Sequence, residues 1–146
     1  VVKSAVSVSG ALSGSGATIN QTLTNTTSSS KSVVYTVTPT ANGCTGTAFD
    51  VTVTVKSKPV ASAANQTIYP GQSTNIPLSS TITGTTYSWP TPVQTNVSGG
   101  SAGTGSAIIQ SLTNTAGGTT VGTAVYSVTP VANGCAGNIK TVTVSV

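Results

Sequence analysis

In the last six residues of the chain, Val142, Val144 and Val146 alternate with Thr141, Thr143 and Ser145. A period of two marks a strand with one face buried and the other wet. The same pattern runs earlier, where Phe49, Val51, Val53 and Val55 are separated by Asp50, Thr52 and Thr54, and it predicts that Phe49 points inward with the valines. Each of these strands is preceded by another, carrying Val33, Tyr35 and Val37 in one case and Ala124, Tyr126 and Val128 in the other. Between them lie Pro39, Asn42, Gly43 and Gly46, or Pro130, Asn133, Gly134 and Gly137. Asn-Gly readily supplies the positive φ angles of a tight turn, so each pair is predicted to form an antiparallel hairpin. Further short strands are predicted at Pro59–Ala63, Gln66–Tyr69, Thr74–Ser79, Thr85–Pro90, Val93–Ser98 and Ser106–Leu112, separated by Gly, Ser and Pro turns. Trp89 is in phase with Tyr87 and is expected to fill space between two sheets. No apolar stripe of helical period persists. The predicted class is all-β, a sandwich.

The chain repeats itself. Residues 33–55 align without gaps on residues 124–146 at an offset of 91, with 14 of 23 positions identical. Residues 8–26 align on residues 97–115 at an offset of 89, with 11 of 19 identical. The difference places two additional residues in the loop Ala116–Thr123. A unit of about 91 residues has the size of an immunoglobulin-like sandwich. Residues 56–146 then read as one complete repeat, and residues 1–55 as the C-terminal part of another. On that register Val1 matches Pro90, and residues 56–89 have no counterpart in the first repeat. The chain begins at Val1 without a Met and reads as a mature or internal segment.

Composition narrows the chemistry. There is no His, Glu, Arg or Met, and Asp50 is the single acidic residue. General acid–base catalysis needs a group that exchanges a proton near neutral pH, and nucleophilic triads need a base beside the nucleophile. No such set can be assembled, so an enzyme is not expected. Ser and Thr make up about a third of the chain, yet the hydrophobic share of 36% is too high for disorder. The net charge of +4 comes from Lys3, Lys31, Lys56, Lys58 and Lys140, which are scattered. Without a basic stripe or interleaved aromatics, nucleic acid is not an expected partner. No apolar run approaches the ~20 residues that cross a bilayer, so membrane insertion is not expected either.

The tract YTVTPTANGCTG from Tyr35, followed by alternating Val and Thr, resembles the PKD-like repeats of very large surface proteins of Bacteroidetes, including adhesins of the gliding-motility type. NQTIYPGQS from Asn65, TYSW ending at Trp89, the glycine stretch Ser98–Gly105 and the Leu112-Thr-Asn element are similar to the same repeat. The resemblance spans essentially the whole chain. It implies tandem immunoglobulin-like, PKD-like modules on a secreted protein, extracellular or at the cell surface, with neighbouring repeats as their first partners. Many such repeats carry Cys where this chain has Tyr69, and the resemblance implies that this Cys pairs with the one in the Asn-Gly-Cys turn. Tyr69 leaves Cys135 without that mate, and a mate for Cys44 would precede Val1. Cys44 and Cys135 occupy equivalent points of successive modules, whereas a disulfide needs Cα atoms within about 7 Å. Each is therefore expected as a free thiol or as a disulfide to another chain.

Other sites have weaker support. Calcium needs clustered oxygen ligands, and Asp50 supplies one carboxylate. Two separated cysteines without His make no zinc site, and no cofactor is implied. Lysine–asparagine isopeptide bonds need an acidic catalyst, which Lys56 and Lys140 lack in their own module. Asn20, Asn25, Asn65 and Asn96 head Asn-x-Ser/Thr sequons. Among the aromatics, Tyr69 stands apart at a turn before Pro70-Gly71 and is the candidate surface contact, for example with a glycan. Three functions follow: a structural or adhesive spacer in a long stalk, a filament subunit completed by strands from a neighbouring chain, or a carbohydrate-binding module.

Overall fold

The structure is a computed structural model describing residues 1–146. It is all-β, without helices, and divides into two compact units, Val1–Lys58 and Pro59–Val146.

The second unit is organised around the ten-residue strand Thr123–Ala132. Its β-branched and aromatic side chains suit a pleated surface. Lys140–Ser145 runs antiparallel along one edge, from Thr123↔Ser145 to Val128↔Lys140. The other edge is shared by Val93–Thr95 and Thr86–Trp89, and Gly103–Thr104 lies beyond the latter. Cys135–Ala136 folds back antiparallel on the end of Thr123–Ala132, and Gln66–Thr67 joins the outer side of Lys140–Ser145 in parallel, which completes a seven-stranded sheet. Short pairs form the opposing layer: Ala61–Ser62 with Ser79–Ser80, Ile76–Pro77 with Ala107–Ile108, and Val97–Ser98 with Thr113–Asn114. Ile108, Leu112, Ala124, Tyr126, Val128, Val142 and Val144 are fully buried between the layers. Trp89 is 5% exposed, as its alternation with Tyr87 predicts. Its ring lies where a Cβ on the cross-strand partner Gly103 would stand 2.8 Å away, so only a residue without a side chain fits.

The predicted strand Thr74–Ser79 divides into Ile76–Pro77 and the start of Ser79–Ser80, which pair with different partners, and two further predicted strands are broken for local reasons. Val93–Ser98 divides at Asn96, whose φ of 55° turns the chain from one sheet into the other. Ser7, 89 residues earlier, has a φ of 60° and makes the same turn between Val2–Ser4 and Val8–Ser9. Ser106–Leu112 keeps only Ala107–Ile108 as a strand. There the Thr74 hydroxyl enters the ladder, donating to the Ile108 carbonyl at 2.8 Å and accepting from the Gln110 N–H at 2.9 Å.

In the first unit, Lys31–Val37 is the middle strand of three, between Val2–Ser4 and Phe49–Val55. The predicted hairpin runs from Lys31↔Val55 to Val37↔Phe49. At its tip a smaller hairpin pairs Thr40–Ala41 with Cys44–Thr45 across Asn42 and Gly43, at φ 51° and 78°. Asn133 and Gly134 repeat this at 53° and 77°. Two successive left-handed residues define the turn that matches strand twist. The core here is small: Val8, Val33 and Tyr35 are buried, with Val2, Ala5, Ala11, Leu23, Val51, Val53 and Val55 partly covered.

Candidate interaction surfaces

The polar skeleton of the two units is the same, residue for residue. Tyr35 donates its hydroxyl to Gln21 Oε1 at 2.7 Å, and Tyr126 donates to Gln110 Oε1 at 2.7 Å. Each glutamine also clamps a loop through both backbone groups of one residue, Leu12 in the first case and Ser101 in the second. The Asn25 amide donates to the carbonyls of Ser29 and Val55, and the Asn114 amide donates to those of Thr120 and Val146. Each Asn thus ties a loop to the end of the last strand, with its Oδ1 accepting from the backbone two residues on. Gln21/Gln110, Tyr35/Tyr126 and Asn25/Asn114 are identical pairs within the aligned blocks. That identity was the available signal for these ties, although it does not name the bonding partners.

The predicted candidates are dispersed. Tyr69 is 78% exposed on a turn where the Gln72 N–H donates to its carbonyl at 3.0 Å. Cys44 is exposed beside the Asn42-Gly43 turn, Cys135 is half-buried, and neither is bonded. Asp50 lies on an exposed strand face. The Lys3 ammonium at 2.6 Å and then the Thr36 hydroxyl at 2.7 Å hold its carboxyl below the ordinary carboxylate range. Solvent screens such a pair, which contributes little to stability. No three His, Cys, Asp or Glu side chains approach one another closely enough to hold a metal ion. Of the sequons, Asn25 is buried with its amide engaged twice, whereas Asn20, Asn65 and Asn96 are exposed. Tyr126 is fully buried, and burial pushes its phenol up.

The inward placement predicted for Phe49 needs correction. Phe49 is 53% exposed, because nothing in the first unit covers the end of the strand that carries it. It forms one wall of an open groove of about 790 Å³, together with Leu12, Ile19, Gln21, Tyr35 and Val37. No charged side chain lines this groove. The alternation gave the right face of the strand but not the cover over that face.

A long, mainly antiparallel sheet facing short strand pairs over an apolar core defines a β-sandwich of immunoglobulin-like type. The chain matches the family of PKD-like domains over residues 1–59 and 66–146, and it belongs to that family. Comparison with curated proteins gave no match, and comparison with solved structures gave none. PKD-like domains are typically non-catalytic structural modules and are generally extracellular. No helix is long and apolar enough to cross a membrane.

Proposed function

We propose that this chain is a spacer in the stalk of a secreted cell-surface adhesin, with its two units as successive tandem repeats. The observation that carries this reading is the paired terminal hairpin, Lys31–Val37 with Phe49–Val55 and Thr123–Ala132 with Lys140–Ser145. If tension is applied across such antiparallel ladders, rows of hydrogen bonds must break before a module extends. The weakly charged, hydroxyl-rich surface keeps a string of modules soluble without strong fields. Gliding-motility adhesins of Bacteroidetes, which the sequence resembles, frame the same reading. Single-molecule stretching of tandem copies should give regularly spaced unfolding peaks. Extension of the second unit at negligible force would refute the spacer role.

A further inference from the structure

Two of the chain's asparagines, Asn42 and Asn133, precede a glycine. Both stand at hairpin tips, at φ of 51° and 53°. Both are exposed. No hydrogen bond holds either side-chain amide, in contrast to those of Asn25 and Asn114. The N–H of each following glycine is free as well. The turns close at Ala41↔Cys44 and Ala132↔Cys135. The next bonds outward join the Gly46 N–H to the Pro39 carbonyl and the Gly137 N–H to the Pro130 carbonyl, both at 2.8 Å. The two central residues of each turn are left unpaired. Nothing stands within 4 Å of the place a Cβ would take on Gly43 or Gly134.

We propose that Asn42 and Asn133 are sites of spontaneous covalent modification, at which a cyclic imide forms and opens to leave a new carboxylate on each hairpin tip. The proposal is independent of the spacer reading.

The chemistry needs only water and base. The Gly134 nitrogen gives up its proton to hydroxide and bonds to Cγ of Asn133. The Cγ–Nδ2 bond then breaks, and the side-chain nitrogen leaves as ammonia. Water opens the imide at Cγ to give Asp in the normal main chain, or at the Asn133 backbone carbonyl to give isoaspartate. Either product carries a negative charge where Asn carried none. Asp50 is the single acid of the unmodified chain, so conversion of both sites lowers the net charge from +4 to +2. Asp tolerates the left-handed φ of the turn. Isoaspartate instead adds a backbone carbon to a two-residue turn, whose length sets the register of its strands.

The other asparagines lack one requirement or another. The amides of Asn25 and Asn114 are engaged, and Asn65 Oδ1 accepts from the Thr143 N–H at 2.9 Å. Asn20, Asn75, Asn96 and Asn138 precede Gln, Ile, Val and Ile, whose side chains crowd the attacking nitrogen. Asn96 isolates the part played by glycine. It is exposed and left-handed, at φ 55°, yet it precedes Val97.

The test is to incubate the folded full chain at neutral and at mildly alkaline pH and to resolve Asn, Asp and isoaspartate at each position by peptide mass spectrometry. Asn42 and Asn133 should convert about tenfold faster than Asn96 or more, since glycine leaves the nitrogen unscreened. Their rates should rise with pH, because the nitrogen must lose its proton. Gly134→Ala should slow Asn133 about tenfold and leave Asn42, in the same molecule, unchanged. That substitution also strains the turn, so the six-residue peptide Val131–Ala136, with and without it, reports the chemical effect apart from folding. Conversion of the peptide while Asn133 stays intact in the folded chain would show that the hairpin protects the site, and overturns the proposal. Conversion of Asn96 at an equal rate, a rate indifferent to pH, or no slowing by Gly134→Ala in chain and peptide overturns it too.

Discussion

Tyr126 has no exposed surface, and its hydroxyl is held by Gln110 at 2.7 Å. Desolvation disfavours the phenolate, so the folded-state pKa lies above the ordinary value of 10.0. For a group whose folded pKa is raised, stability is fully present below the unfolded pKa and is lost as pH rises beyond it. The unfolded chain then releases a proton that the folded chain retains, which favours unfolding. Denaturant midpoints of the second unit should therefore fall between about pH 9 and 11. Tyr126→Phe should flatten much of that fall, with Tyr87, raised by the same cause, contributing what remains. At neutral pH the same substitution should cost about 1 kcal/mol, the net value of one hydrogen bond. An unchanged alkaline slope would show that the Tyr126 phenol is not buried in solution. The inward position of Tyr126 was legible from its alternation with Val128, but its bond to Gln110 was not. Sequence periodicity reports a face of a strand, whereas that bond joins a strand to a loop 16 residues away.

At the scale of elements, the most legible feature was the hairpin. Val–Thr alternation gave its strands, and Asn-Gly gave its turn. Gly134 sits at φ 77° with open space where a Cβ would stand, so conformation alone sets the effect of a substitution there. Gly134→Ala should cost about 1 kcal/mol of second-unit stability, through the left-handed backbone and without any clash. Thermal unfolding of the two proteins checks this. A larger loss would mean that the turn carries tertiary contacts. Among the strands predicted too long, Val93–Ser98 and Ser106–Leu112 fail for reasons outside periodicity. Asn96 adopts a left-handed φ that no apolar pattern announces, and the Thr74 hydroxyl competes with the ladder from a distant strand. The repeat itself carries the correction. Ser7 and Asn96, both short and polar, mark the same crossover between sheets in the two units.

At the scale of the whole chain, two units with the same hairpin and the same polar ties differ in how much core encloses them. Burial, more than sequence, then sets what an apolar residue contributes. Ile19 and Ile108 occupy equivalent places in the repeat, yet one is 47% exposed and the other has no exposure. Ile108→Ala removes fully buried methyl groups and leaves a cavity, and should cost about 2–5 kcal/mol. Ile19→Ala removes a side chain that already faces water, and should cost less than about 1 kcal/mol. Hydrogen exchange resolved by segment reports each unit separately, through Thr123–Ala132 for the second and Lys31–Val37 for the first. Ile108→Ala should sharply lower protection of Thr123–Ala132, whereas Ile19→Ala should leave Lys31–Val37 nearly as it was. Comparable losses at the two sites would mean that the first unit closes over Ile19 in solution.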